Sequence, residues 1–173
     1  MTAGLPDWAD GLDLAPHPEG GWYRETWRSE VTLPRTVLPG AHSGDRPAGT
    51  AILFLLPTGA ESAWHTVVGS EIWLHHRGSP VVLTLGGVGD SPGDETSVVL
   101  GPDLAAGQHP QYVVAPGQWQ RARPLDGHPD GGGLVSCVVV PGFDFDDFAL
   151  LDPGATDAAP STDGRPRWGT MGT

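Results

Sequence analysis

Residues 50–57, TAILFLLP, form a continuous apolar run that ends at a proline. A short apolar run with this boundary is typical of a buried β-strand. Further short runs follow, each flanked by Gly or Pro, at residues 71–74, 80–85, 97–100, 111–115 and 134–140. The chain has 26 Gly and 18 Pro residues, which supply turns between these runs. Because many short strands separated by turns build a sandwich or a barrel, the pattern predicts an all-β fold.

The chain before this run contains a second kind of strand pattern. Residues 22–28, WYRETWR, alternate aromatic and charged side chains, as is typical of a strand with one face in solvent. The segment HPEGG at 17–21 predicts a tight turn before that strand, and residues 34–49, rich in Pro and Gly, predict a loop after it. Residues 5–14 predict a short helix, because a Pro and an Asp stand near its start.

The length of 173 residues suits one domain followed by a tail. We place the domain at residues 1–151. Residues 152–173 are rich in Pro, Gly, Thr and Asp and contain few apolar side chains. This composition predicts a flexible C-terminal tail.

The charge pattern argues against several classes of function. The formal net charge is −12, and all 9 basic residues are Arg. A surface that binds nucleic acid needs a basic stripe, which the sequence lacks, so no nucleic-acid partner is predicted. The absence of Lys also excludes a lysine Schiff base. Cys137 is the single cysteine, so an internal disulfide is excluded.

The sequence shows no targeting pattern. Its first ten residues, MTAGLPDWAD, lack the basic and apolar stretches of a secretory signal peptide. No apolar run approaches the roughly 20 residues that a membrane helix needs. We therefore expect a cytoplasmic protein that has no membrane partner.

The residues that carry chemistry lie in the segment 59–78, GAESAWHTVVGSEIWLHHRG. His65 and Glu71 stand on two predicted strands or on the hairpin between them, and two strands can direct such side chains into one cavity. This spacing is similar to the first sequence motif of the cupins, in which two His residues, a Glu and a Gly follow each other along two strands. His65 takes the first His position, Glu71 the acidic position and Gly78 the closing position. Val67 stands where the motif has its second His.

The turn at Pro116 and Gly117 resembles the start of the second cupin motif, and Gln120 stands where that motif usually has a metal-binding His. A narrower resemblance covers residues 10–151. It is to the cupin-like family catalogued as a domain of unknown function (the Cupin_5 type). The blocks that carry it are HPEGGWYRET (17–26), TAILFLL (50–56), SAWH (62–65), EIW (71–73), LGPDL (100–104) and PGFDFDDF (141–148).

The resemblance implies a double-stranded β-helix, or jelly roll, that dimerises and binds a small molecule inside the barrel. Metal-dependent cupins hold the ion with two or three His and a Glu, whereas metal-free relatives include deoxysugar-nucleotide epimerases that use a His base. Zinc and iron sites need at least three good ligands. With Val67 and Gln120 at two ligand positions, only His65 and Glu71 remain, so no metal or other cofactor is predicted.

Six further residues are predicted to bind substrate. Arg24 and Glu25 point to opposite sides of their strand, and we favour Arg24 as the inward, anion-binding side chain. Gln111, at the start of a strand, is placed at the pocket mouth. The others are expected in the pocket wall: Trp64, Trp73, Trp119 and Gln120.

The leading prediction is a homodimeric, metal-independent isomerase, epimerase or cyclase acting on a small polar or carbonyl-containing metabolite. His65 would take a proton from the carbon next to the carbonyl, and Glu71 would orient the imidazole or return a proton. Two alternatives stay open. One is a cupin that binds a small ligand without turning it over, and the other is an oxygenase or lyase that uses a divalent metal.

Overall fold

The computed structural model describes residues 4–151. The predicted tail, residues 152–173, lies outside the described part of the chain. Three short 3-10 helices cover Asp7–Ala9, Arg35–Val37 and Phe145–Asp147. The strands are β1 (Ala15–Pro16), β2 (Trp22–Arg28), β3 (Thr32–Leu33), β4 (Arg46–Pro47), β5 (Thr50–Pro57), β6 (His65–Val67), β7 (Ser70–Gly78), β8 (Val81–Val88), β9 (Thr96–Leu100), β10 (Gln111–Val114), β11 (Gln118–Pro124), β12 (Gly132–Val140) and β13 (Phe148–Leu150).

The strands form a β-sandwich of the jelly-roll type, as the sequence predicts. One sheet has six strands in the order β1-β2-β5-β12-β7-β10, and the facing sheet has five in the order β13-β6-β11-β8-β9. β3 and β4 form a separate two-stranded ribbon. Within residues 4–151, no helix is long and apolar enough to cross a membrane.

β5 is apolar along its whole length because both of its faces are covered. Phe54 and Leu56 point into the main core between the sheets, where they pack with fully buried Trp73. Leu55 points the other way, into a second cluster that the N-terminal segment covers with Trp8. Burial on two faces removes the polar alternation that a half-exposed strand would show.

The predicted N-terminal helix is reduced to the 3-10 turn Asp7–Ala9. Gly11 and Asp13 adopt positive φ angles of 83° and 51°, which an α-helix does not allow. The segment is held to the sheet by tertiary contacts instead. The Trp8 indole donates a hydrogen bond of 2.6 Å to the carbonyl of Asp130.

A buried ion pair joins β4 to the 3-10 helix before β13. Asp147 accepts hydrogen bonds from Arg46 Nε (2.6 Å), Arg46 Nη2 (2.7 Å) and His42 Nδ1 (2.7 Å). Burial opposes ionisation of this carboxyl, but the bonds from Arg46 and His42 outweigh it and lower the pKa of Asp147 to about 2. The contact fixes the turn that carries Phe145 and Phe148 against the rest of the sandwich.

Candidate active site

A cavity of about 360 Å³ lies between the two sheets. Residues from both sheets line it, and the segment 143–148 forms one of its walls. Five aromatic side chains make the apolar part of the lining: Tyr23, Phe54, Phe143, Phe145 and Phe148. Besides Tyr23, the titratable side chains in the lining are His17, Glu19, Glu25, Arg28, His65, Glu71, Cys137 and Asp144.

The HPEGG segment forms the tight turn that brings two of these side chains into the cavity. His17 N–H donates to the carbonyl of Gly21, and Gly20 N–H donates to the carbonyl of His17, both at 3.0 Å. Gly20 and Gly21 have φ angles of 102° and 72°, where a side chain is strained. A Cβ on Gly21 would also lie 2.9 Å from the carbonyl oxygen of Leu55. The paired glycines therefore let the turn lie flat on β5.

Glu19 and His65 form a buried pair at the cavity wall. Glu19 Oε2 lies 3.2 Å from His65 Nε2, and the two residues are only 8% and 2% exposed. His65 Nδ1 lies 2.9 Å from the carbonyl oxygen of Ala63, which can only accept, so Nδ1 carries the hydrogen. In the neutral ring Nε2 is then an acceptor, and the contact is a hydrogen bond if Glu19 is protonated.

Burial favours this neutral arrangement of the pair. It lowers the pKa of His65 to about 4, with a smaller contribution from His17 and some opposition from the bond to Ala63. Burial also raises the pKa of Glu19 well above its usual value, and the charge of Glu71 raises it further. Both shifts favour an uncharged imidazole beside an uncharged carboxyl group.

Glu71 lines the same cavity but has a different partner. Trp73 Nε1 donates to Gln120 Oε1 at 3.0 Å, which directs the Gln120 amide nitrogen to donate to Glu71. Burial raises the pKa of Glu71, and hydrogen bonds from Gln120, Cys137 and Trp73 oppose the shift. Burial and the charge of Glu71 raise the pKa of the Cys137 thiol well above its usual value, so the thiol is a poor nucleophile.

An ion pair lies in the wall formed by β2. Arg28 donates to both oxygens of Glu25, from Nε at 3.0 Å and from Nη2 at 2.7 Å. A register shift between Glu25 and Trp27 interrupts the alternation of β2. Because of this shift both Glu25 and Arg28 line the cavity, although regular alternation would place them on opposite faces.

The structure brings His65 and Glu71 to one cavity, but the carboxyl in contact with His65 is that of Glu19. The inward position predicted for Arg24 needs correction. Its Nη1 lies 3.6 Å from Asp13 and outside the cavity, because Tyr23 and Glu25 take the inward positions of β2. Gln111 is also outside the lining, exposed on the edge strand β10.

The three Trp residues and Gln120 also lie outside the lining. Trp73 and Gln120 are buried behind Glu71 and hold its carboxyl, so they support the site without lining it. Trp119 donates to the carbonyl of Gly89 at 2.9 Å. Trp64 packs under the guanidinium of Arg121, which lies 4.8 Å from the ring centre.

Of the titratable residues in the lining, sequence reasoning found His65 and Glu71 and missed seven: His17, Glu19, Tyr23, Glu25, Arg28, Cys137 and Asp144. The paired glycines of HPEGG were a usable signal, because a turn with that backbone holds its polar side chains in fixed directions. The register shift that brings Arg28 into the cavity has no sequence signature comparable to a paired glycine.

The side chains present do not fit the metal centre that metal-dependent cupins use. Val67 provides no donor, and the Gln120 carbonyl oxygen accepts from Trp73. Within residues 4–151, no group of three or more His, Cys, Asp or Glu is arranged to hold a metal ion. The residues at these two motif positions therefore do not supply the His-rich ligand set of metal-dependent cupins.

Comparisons with known proteins agree with this fold. Residues 6–151 match the model of the DUF985 family in the cupin superfamily. The uncharacterized protein YML079W of Saccharomyces cerevisiae is 32% identical over 154 residues, 85% of this chain and 73% of that protein. The SO0799 protein of Shewanella oneidensis is 35% identical with a TM-score of 0.72, and the match covers 88% of this chain and 89% of that one.

A hypothetical protein of Leishmania major is 31% identical with a TM-score of 0.72, over 83% of this chain and 85% of that one. Oxalate decarboxylase of Bacillus subtilis is 15% identical with a TM-score of 0.51, over 81% of this chain and 30% of that one, a likeness of fold alone. The family match and these relatives assign the protein: it belongs to the DUF985 family of the cupin superfamily.

Proposed function

We propose that the protein is an isomerase-type enzyme that moves a proton on a carbon next to a carbonyl group of a small metabolite. The observation that carries the proposal is the buried contact between His65 Nε2 and Glu19 Oε2 in the wall of a cavity. Two neighbouring groups whose environments drive their pKa values in opposite directions are the usual signature of an acid–base pair. Epimerisation, isomerisation and cyclisation can each begin with this proton transfer.

In the first step a bound substrate lies between the two side chains. Neutral His65 accepts the proton from the carbon at Nε2, while the Glu19 carboxyl donates its proton to the carbonyl oxygen. The C–H electron pair forms the carbon–carbon double bond of an enol, and the pair becomes an imidazolium beside a carboxylate. The second step reverses both transfers, and delivery of the proton to another face or another atom gives the isomer.

The surroundings support this chemistry in two ways. Ala63 holds the imidazole in the tautomer whose Nε2 carries no hydrogen and can accept a proton. Glu71, held by Gln120, keeps negative charge near Glu19 and so favours the protonated acid. The aromatic walls lower the local dielectric constant, which strengthens the ion pair formed in the first step. Each residue acts without a metal ion, and we propose that the enzyme is metal-independent.

Hydrogen exchange on carbon tests the proposal directly, because it reports the first proton transfer whatever product follows. The protein is incubated in D₂O with a panel of small ketones, aldehydes and keto acids, and deuterium incorporation is followed by NMR and mass spectrometry. We expect His65→Gln to slow exchange by about 10²- to 10⁴-fold, the usual contribution of general acid–base catalysis. His109→Gln is the matched control, since His109 is exposed and lies outside the cavity.

An exchange rate that His65→Gln leaves unchanged would contradict the proposal. A ligand that binds tightly, requires His65 and returns without deuterium would support the alternative of a binding protein. Elemental analysis of protein prepared without a chelating tag tests metal independence. A stoichiometric metal ion whose removal abolishes exchange would refute that part of the proposal.

A further inference from the structure

Three phenylalanines form a cluster in the cavity wall. The ring centres of Phe143, Phe145 and Phe148 are 5.0 to 6.1 Å apart, and all three rings lie in the lining. Tyr23 and Phe54 add two aromatic rings from β2 and β5. Aromatic faces carry partial negative charge and attract cations.

The charged groups that line the cavity carry a net negative charge. Arg28 is the one Arg among the described lining residues, and both oxygens of Glu25 already bind it. Asp144 lies between two of the clustered phenylalanines in the chain and also lines the cavity. An anionic ligand at this wall would therefore meet two carboxylates for a single guanidinium. The acidic chain, with its formal charge of −12, adds repulsion of the same sign.

We propose that the cavity selects a ligand with a positively charged nitrogen, held between the aromatic cluster and the carboxylates of Glu25 and Asp144. The inference rests on the proposed function, since it names the substrate class of the same site. The substrate would then be a small carbonyl compound with an ammonium group. Its carbonyl end reaches the pair of His65 and Glu19, while its cationic end lies at the wall of Phe143 and Phe145.

Three probes of nearly equal shape and different charge test the proposal. They are choline, the neutral 3,3-dimethylbutan-1-ol and the anionic 3,3-dimethylbutanoate. Their dissociation constants are measured by ligand-detected NMR and calorimetry at low and moderate salt. We expect choline to bind about 10-fold more tightly than the neutral probe, a ratio within the range of cation–π and ionic contacts. The anion should bind most weakly.

Substitutions in the wall separate the two contributions. Phe145→Leu keeps an apolar side chain but removes the aromatic face, so the preference for choline over the neutral probe should fall several-fold while binding of the neutral probe persists. Glu25→Gln should also reduce the preference, since it leaves Arg28 without its partner. Asp126→Asn is the control, because it removes the same charge at an exposed residue outside the cavity. This control should leave all three constants unchanged.

Equal or tighter binding of the neutral probe would overturn the proposal, and so would preferred binding of the anion or no binding of choline. A choline preference that survives both wall substitutions would place the site elsewhere and would overturn it as well. The measurement involves no turnover, so its failure leaves the hydrogen-exchange test of the proposed function standing. Conversely, the protein could fail to catalyse hydrogen exchange and still prefer choline. That result would refute the proposed enzymatic activity but support the proposed class of ligand.

Discussion

His65 Nε2 and Glu19 Oε2 lie 3.2 Å apart in the cavity wall, although one residue begins β6 and the other belongs to the turn before β2. The hydrogen on His65 Nδ1 is committed to the carbonyl of Ala63. A hydrogen bond across the pair then needs a proton that belongs to Glu19 or, after transfer, to the imidazolium. The titration of the two groups is therefore coupled, and stability measured against pH reports on it.

Replacing His65 should reduce the amount of stability that the protein loses as the pH falls. The pKa of His65 is about 4 in the folded protein against an ordinary value of 6.5. At a pH between these two pKa values, the unfolded chain binds a proton at His65 that the folded chain does not bind. The free energy of unfolding is therefore highest above pH 6.5 and decreases as the pH falls to about 4. The full difference is on the order of 3 kcal/mol. His65→Gln should lose correspondingly less stability than the wild type between pH 7 and pH 4 in urea denaturation.

Because His17 also has a pKa lowered to about 4 by burial, the wild type and the variant will share part of the acid loss. The difference between the two curves of stability against pH therefore reports the contribution of His65 alone. Parallel curves would show that the pKa of His65 is the same in the folded and the unfolded chain. That result would contradict the lowered pKa of the buried imidazole.

Replacing Glu19 should have the opposite dependence on pH. The pKa of Glu19 is raised in the folded protein, so above its ordinary value of 4.5 the folded chain keeps a proton that the unfolded chain has lost. The contribution of the group is most favourable below pH 4.5 and decreases as the pH rises toward the raised pKa. Glu19→Gln should therefore gain stability relative to the wild type as the pH rises from 4.5. A constant difference across this range would mean that Glu19 is ionised throughout.

The carboxyl partner of His65 shows where sequence reasoning ends. The jelly roll and its strands could be predicted, because alternation, apolar runs and Gly or Pro boundaries are local signals. The sequence also indicated His65 and Glu71, whose spacing resembles a known motif. Glu19 could not be paired with His65 in this way, since their contact depends on how the HPEGG turn packs against a distant strand. Arg24 was placed on the wrong side for a similar reason, as strand alternation alone does not say which face is inward.

Glu71→Gln should shift the pH dependence of the hydrogen-exchange rate but change the maximal rate less. The negative charge of Glu71 raises the pKa of Glu19, which must be protonated to donate to the carbonyl oxygen. Without that charge Glu19 ionises at a lower pH, so the alkaline limb of the profile should shift to lower pH. A Gln can still accept from Gln120, and we expect the fold to persist. An unshifted alkaline limb with reduced maximal rate would indicate that Glu71 contacts the substrate directly.

Asp147→Asn tests the buried ion pair that fixes the aromatic turn. The substitution leaves Arg46, which is 3% exposed, as a buried charge without its carboxylate partner. Breaking a buried pair in this way costs about 3–5 kcal/mol, which corresponds to a fall in melting temperature on the order of 10 °C. Asp146→Asn is the matched control, since the neighbouring Asp146 is exposed and should tolerate the change. Equal melting temperatures for the two variants would refute a structural role for this pair.

The homodimer remains a prediction, and the chain offers a surface for it. Trp27, Val31 and Val37 are 50%, 62% and 66% exposed along the segment 27–37. Several exposed apolar side chains in one segment are typical of interaction sites. Light scattering at micromolar concentration should therefore give twice the mass of the chain.

The same surface can be tested by placing charges on it. The double substitution Val31→Asp and Val37→Asp introduces charges that a dimer would have to bury, so the variant should be monomeric with a nearly unchanged circular dichroism spectrum. Val88→Asp is the control, because Val88 is 73% exposed at the end of β8 in the opposite sheet and should leave the dimer intact. A wild-type chain that is monomeric at these concentrations would refute the homodimer. If all three proteins were equally dimeric, the segment 27–37 would be excluded as the interface, which would then be sought at the edge strand β10, where Val113 is exposed.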